Sequence, residues 1–139
     1  MADKQSDTSS GKIPTNVLIA EDNEAIAKAL RRAFESKGFS VHHVDNADEV
    51  LPSLEHVSPN LLILDIMMPS KQNLDGFSLC KQIKNTSAYK NLPVVIITGI
   101  ASGMKDSEEH MCQLSGADAC LFKPFSLDYM MERLQPFLR

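Results

Sequence analysis

At 139 residues the chain is long enough for one domain with a single core and too short for two ordinary ones, and a domain of this size folds without needing a disulfide or a metal. A formal charge of −4 and a pI of about 5.5, with no basic run to override them, argue against nucleic acid or an anionic membrane as the principal partner. The apolar runs fall far short of a membrane span, the start MADKQSDTSSGK has no signal-peptide core, and Cys80, Cys112 and Cys120 have no zinc-like spacing, so a cytoplasmic protein with reduced thiols is expected.

Residues 1–15 are small and polar without periodicity, which predicts a flexible N-terminal tail, with the folded unit spanning 16–139. From Asn16 onward NVLIA, FSVHHV, NLLILD, PVVIIT and ACLF read as five strands, each followed by a helical or polar stretch. Such alternation predicts an α/β fold with a parallel sheet covered by helices. The first helix is expected over Glu24 to Lys37, with Ile26, Leu30 and Phe34 on one face and Gly38 as its stop. A second is expected to start with Asn46 as cap, and Pro52, a turn and a half in, should kink or shorten it. The third should run from Gly76 to Asn85, the fourth from Asp106 to Ser115 with Gly116 as stop, and the last from Ser126 to near the C-terminus.

In doubly wound parallel sheets ligands bind outside the carboxyl ends of the strands. Those ends carry Glu21 and Asp22 after the first strand, Asp65 on the third, Thr98 on the fourth and Lys123 on the fifth. Alone, Asp22 would be a turn former, Lys123 an exposed lysine before a proline and Thr98 a plain strand residue. Three acids at one rim, however, repel one another and stay charged only beside a cation. Oxygen ligands without a matching His or Cys point to Mg²⁺. An ammonium and a hydroxyl would then hold phosphoryl oxygens while Asp65 acts as the nucleophile.

These residues resemble the receiver domain of bacterial two-component response regulators over about residues 16–139, through VLIAEDN, LLILDIMMP, PVVIITG and GADACLFKPF together. The resemblance implies a flavodoxin-like doubly wound (βα)5 fold with strand order 2-1-3-4-5. It implies that Glu21, Asp22, Asp65 and the backbone carbonyl of Met67 bind Mg²⁺, and that Thr98 and Lys123 bind the phosphoryl group. Asp65 would accept that group from a sensor histidine kinase or a histidine phosphotransfer protein. The protein would be a phosphoacceptor that assists its own phosphorylation and dephosphorylation rather than an enzyme, acting on a downstream protein target or output domain. The bond from Lys123 to Pro124 should be cis, aiming the lysine inward. Receivers of this kind often pair through the fourth and fifth helices, where Met130, Met131 and Leu134 supply apolar material, although burial in the core is their expected use.

The chain departs from the family pattern in several places. PSKQNLDG takes six residues from proline to Asp-Gly where the family usually takes three, and GIASGMK lengthens the segment after Thr98. Either loop would alter access to the site or be a neutral surface insertion. Cys120 replaces the family's switch aromatic, and strand alternation puts Phe122 on the same side. Met67 and Ile100 are apolar where relatives often carry groups that orient water, which predicts slow hydrolysis, unless Met67 and Met68 simply pack. His42, His43, His56 and His110 read as ordinary strand and helix residues without site neighbours.

Among other functions, a haloacid dehalogenase-type phosphatase would need a second acid where Met67 stands, and a flavodoxin would need a phosphate loop where EDNE stands. A degenerate receiver acting as a phosphorylation-independent docking module is the remaining alternative. No output domain follows SLDYMMERLQPFLR, which leaves open both a single-domain regulator and a piece of a larger regulator or hybrid kinase.

Overall fold

The computed structural model describes residues 15–99 and 105–138. The polar N-terminal tail, Ile100 and most of the lengthened segment after Thr98 lie outside the described residues. Five strands, β1 (Asn16–Ala20), β2 (Ser40–Val44), β3 (Leu61–Asp65), β4 (Val94–Gly99) and β5 (Ala119–Lys123), pair in parallel in the order β2-β1-β3-β4-β5. This is the flavodoxin-like order expected from the sequence. The inner strands β1, β3 and β4 are covered on both faces, which is why they are unbroken aliphatic runs rather than alternating ones. At the edge, β2 buries only Val41 and Val44.

Five helices cover the sheet: α1 (Glu24–Glu35), α2 (Val50–Val57), α3 (Gly76–Lys84), α4 (Lys105–Ser115) and α5 (Leu127–Leu134). Leu30 and Phe34 of α1 and Met130 and Leu134 of α5 pack on the odd-numbered face of β1, around Val17 and Ile19. Val50 and Leu54 of α2, Leu79 and Ile83 of α3 and Cys112 of α4 pack on the other, around Leu18 and Ala20. Met130 and Leu134 are thus core residues, as their expected use required.

Polar side chains set where the helices begin. Asn23, Asp75 and Ser126 accept hydrogen bonds from the backbone N–H of Ile26, Ser78 and Tyr129, at 3.0, 2.9 and 3.0 Å. Each such cap is worth about 1 kcal/mol over alanine. Asn46 does the same for Glu49 N–H at 3.1 Å, but it opens a 3-10 turn, Ala47–Glu49, with α2 starting only at Val50. Pro52 therefore falls in the first turn of α2, where its missing N–H would have had no intrahelical partner, and it does not interrupt the helix. α1 stops at Glu35, two residues earlier than expected, and Gly38 turns the chain at φ 93°. α5 gives way at Leu134 to a 3-10 turn, Gln135–Phe137, containing Pro136.

The expectation of three reduced thiols is not met. Cys112 on α4 and Cys120 on β5 form a disulfide, with Cα atoms 6.4 Å apart, and Cys80 is a buried free thiol. The physical reason is tertiary: the turn at Gly116 (φ 84°) folds the end of α4 back over β5, bringing together cysteines eight residues apart. At the same, amino-terminal rim of the sheet, Asp118 Oδ2 accepts from Val94 N–H at 2.8 Å and pairs with Lys84 at 3.0 Å.

Gly76 lets α3 start directly against β3's exit, since a Cβ there would run into the backbone and side chain of Ile66. Gly76→Ala should therefore lower stability by about 1–3 kcal/mol through overpacking, read as a lower urea midpoint at unchanged slope.

Candidate functional site at the carboxyl rim of the sheet

Parallel pairing brings the strand exits of β1, β3, β4 and β5 to one rim. Just past β1, Glu21 donates its N–H to Val44 O at 3.0 Å and turns its side chain fully inward, while Asp22 is exposed. Asp65, the last residue of β3, is only 2 % exposed. Its Oδ1 accepts from Met67 N–H at 3.0 Å, and its Oδ2 accepts from the Lys123 ammonium at 3.1 Å. The same ammonium lies 3.1 Å from Glu21 Oε1. The Lys123–Pro124 peptide bond is cis, as expected. Thr98 is buried at the exit of β4, one residue beyond Ile97, the partner of Asp65 across the sheet. All five predicted side chains therefore lie at this rim. One oxygen from each of Glu21, Asp22 and Asp65 lies within 4.8 Å of the others.

The charges at this rim do not balance. Burial pushes Glu21 up to about 7, and the neighbouring Asp65 pushes in the same direction, against the Asn23 N–H and Lys123. Burial pulls the Lys123 ammonium down, but its pairing with Asp65 and Glu21 outweighs this and the net shift is upward. Among the described residues a single ammonium thus faces three carboxylates. Glu21 Oε1 is buried and meets the ammonium at 3.1 Å without an aligned hydrogen bond. A cation coordinated by oxygens fits that arrangement, because it would supply the missing positive charge where three carboxylate oxygens converge.

Two contributors were not legible in the sequence. His43 was expected to have no site neighbour, yet its Nε2 lies 2.7 Å from Glu21 O. Contact with that carbonyl makes Nε2 the protonated nitrogen, so the ring braces the backbone of a site carboxylate from the edge strand. Its only signal was its place near the exit of β2. The second is Asp48, in the turn before α2. Its carboxylate accepts from Ser70 Oγ at 2.8 Å and from Lys71 N–H at 2.7 Å, while Ser70 Oγ accepts from the N–H groups of Gln72 and Leu74. The lengthened loop after Pro69 is therefore pinned to the α2 side of the rim. The Lys71 N–H and Ser70 hydroxyl hold the Asp48 carboxyl below its ordinary value. Met67 is 70 % exposed at the rim, whereas Met68 packs against the core, so only the second follows the packing expectation.

Residues 17–135 match the family model described as the response regulator receiver domain. The chain belongs to that family. A curated relative, response regulator MprA of Mycobacterium sp. (strain KMS), is 33% identical over 129 residues, covering 91% of this chain and 52% of its own length. This receiver domain thus spans about half the length of the curated relatives it matches. Among solved structures, the signal receiver domain of a signal transduction histidine kinase from Syntrophus aciditrophicus is 27% identical with a TM-score of 0.78, covering 89% of each chain. The chemotaxis response regulator CheY4 of Vibrio cholerae, at 24% identity, shares the fold with a TM-score of 0.78 over 91% of this chain and 100% of its own.

Because Glu21 titrates near 7 in the fold and at 4.5 as a free side chain, the folded receiver binds the extra proton between those values. The stability that this proton confers is fully present below the lower value and is lost as pH rises through the upper one. Thermal unfolding in metal-free buffer from about pH 5 to about pH 8 should show wild type losing stability relative to Glu21→Gln, with Mg²⁺ narrowing the gap.

Proposed function

We propose that the protein accepts a phosphoryl group on Asp65 from a sensor histidine kinase or histidine phosphotransfer protein, in a Mg²⁺-dependent reaction, and thereby switches its interactions with a downstream protein target or output domain. The observation that carries this reading is the Lys123 ammonium 3.1 Å from Asp65 Oδ2, at a rim where three carboxylate oxygens converge. Residues 16–139 are the receiver unit, and the cytoplasm, where such kinases present their phosphohistidine, its location.

In the proposed transfer an Asp65 oxygen attacks phosphorus in line with the phosphohistidine P–N bond. That bond breaks, its electrons pass to the imidazole nitrogen, and the nitrogen takes up a proton. The end of β3 holds the nucleophile rigidly, and the Met67 N–H fixes its rotamer through Oδ1. Lys123, already against Oδ2, moves its ammonium to the arriving phosphoryl oxygens, and the Thr98 hydroxyl serves another of them. Glu21, Asp22, Asp65 and the Met67 carbonyl hold Mg²⁺, which when bound supplies the positive charge that offsets the phosphoryl group and the acids. Because the proposed site set is complete, nothing in its geometry favours a phosphorylation-independent docking module.

Incubation with a small phosphodonor and Mg²⁺, followed by intact mass measurement, should give one phosphoryl adduct on wild type and none on Asp65→Asn. An adduct of equal yield on both proteins, or on neither, would overturn the assignment. The exposed Met67 side chain has no group to orient water, so the adduct should decay slowly. Met67→Asn should speed its decay by roughly threefold to tenfold, and equal decay in the two proteins would remove Met67 from the account of phosphate lifetime.

A further inference from the structure

The helices of this fold are not equally anchored. α1, α3 and α5 each put two or more large apolar side chains into the core. Among the described side chains of α4, only Cys112 and Ser115 are buried, while Met111 and Leu114 are 41 % and 58 % exposed. Ser115 spends its hydroxyl locally, donating to Cys112 O at 2.7 Å. The one described apolar anchor of α4 is therefore a cysteine, and it is joined covalently to Cys120 of β5. That strand ends in Lys123, and α4 is the helix that follows the strand carrying Thr98. The sulfur bridge thus joins the helix that follows the Thr98 strand to the strand that leads to Lys123.

We propose that Cys112 and Cys120 are a reversible dithiol–disulfide pair whose oxidation state sets how firmly α4 is docked on β5. Both residues line an open cavity with Glu109, Gln113, Tyr129 and Arg133, so a small thiol or disulfide reaches them from solvent. Cys120 is the less buried of the two and takes the first step. Its thiolate attacks a low-molecular-weight disulfide, releasing one thiolate and forming a mixed disulfide. The Cys112 thiolate then displaces the second thiolate and closes the bridge. Two protein thiols lose two electrons and two protons, and one external disulfide becomes two thiols. A small thiol in excess runs the sequence backwards. Cys80 is a bystander, since it is fully buried and its burial raises the thiol above its ordinary value. A pair of this kind fits a reducing compartment, where disulfides are transient and regulatory rather than structural.

The turn below the bridge stays fastened in either state, because Asp118 N–H donates to Val94 O at 2.8 Å and Asp118 pairs with Lys84. Reduction therefore loosens the helix about this turn without releasing it. Any effect of that loosening on the signalling output rests on the function proposed above, whereas the redox pair itself does not.

The full chain, equilibrated with oxidised or with reduced glutathione, alkylated, and mapped by peptide mass, should contain the Cys112–Cys120 link only in the oxidised sample, with Cys80 unlinked. Hydrogen exchange at the α4 amides should be at least about tenfold slower in that sample, and Cys112→Ser/Cys120→Ser should exchange like reduced wild type in both buffers. Asp65→Asn, which has no phosphoacceptor, should keep the full redox difference, so loss of the phosphorylation reading and loss of this one are read separately. Absence of the link under oxidised glutathione, a link to Cys80 instead, or equal α4 exchange in the two redox states would overturn the proposal.

Discussion

One lysine between two buried carboxylates is the interaction on which the rest of the rim depends. Lys123 lies 3.1 Å from both Asp65 Oδ2 and Glu21 Oε1. Burying a carboxylate without a partner costs several kcal/mol, so Glu21 and Asp65 stay inside only while the ends of β1, β3 and β5 remain in register. The hydrophobic sheet supplies that register. Its apolar faces, packed by α1 and α5 on one side and by α2, α3 and α4 on the other, hold the strand exits rigid. Among the described residues the arrangement remains short of positive charge, which fits the rim to a cation.

Around this centre the chain has adapted its periphery with ordinary polar chemistry. Asp48 gathers the loop after Pro69 through Ser70 and Lys71, so the five residues between proline and Asp-Gly form a folded turn rather than a loose flap. Leu74 of that loop packs against the core beside α3. This side of the rim is thus walled by the loop, with the exposed Met67 at its edge. His43 braces the opposite side through the Glu21 carbonyl. Asp48 and His43 thus both restrict how the rim can move.

On the flank formed by α4 and β5, an apolar stripe gives way to sulfur. A helix docked by hydrophobic area is held independently of redox chemistry, whereas one docked through a cysteine pair is held according to the thiol poise around it. Cys120 and Phe122 line the same cavity, as strand alternation required. Any repositioning of α4 is therefore transmitted to a strand whose last residue is Lys123.

The sequence by itself determined the fold class, the five strands and the five rim residues. Unbroken runs such as LLILD, bounded by turn signals, fit strands buried on both faces, and in a parallel sheet the residues that end them meet at one edge. It also determined most helix starts, since caps such as Asn23, Asp75 and Ser126 act within three residues. Tertiary structure decided what depends on contacts between distant segments. Pro52 is harmless because a 3-10 turn precedes it, His43 reaches Glu21 across twenty-two residues, and Asp48 reaches Ser70 across the same span. The cysteines were misread for a related reason. Eight residues separate Cys112 from Cys120, and only the reversal at Gly116, which lays the end of α4 over β5, brings their Cα atoms to 6.4 Å. Spacing along a chain carries information about periodicity within one element, but the distance between two elements is set by how they pack.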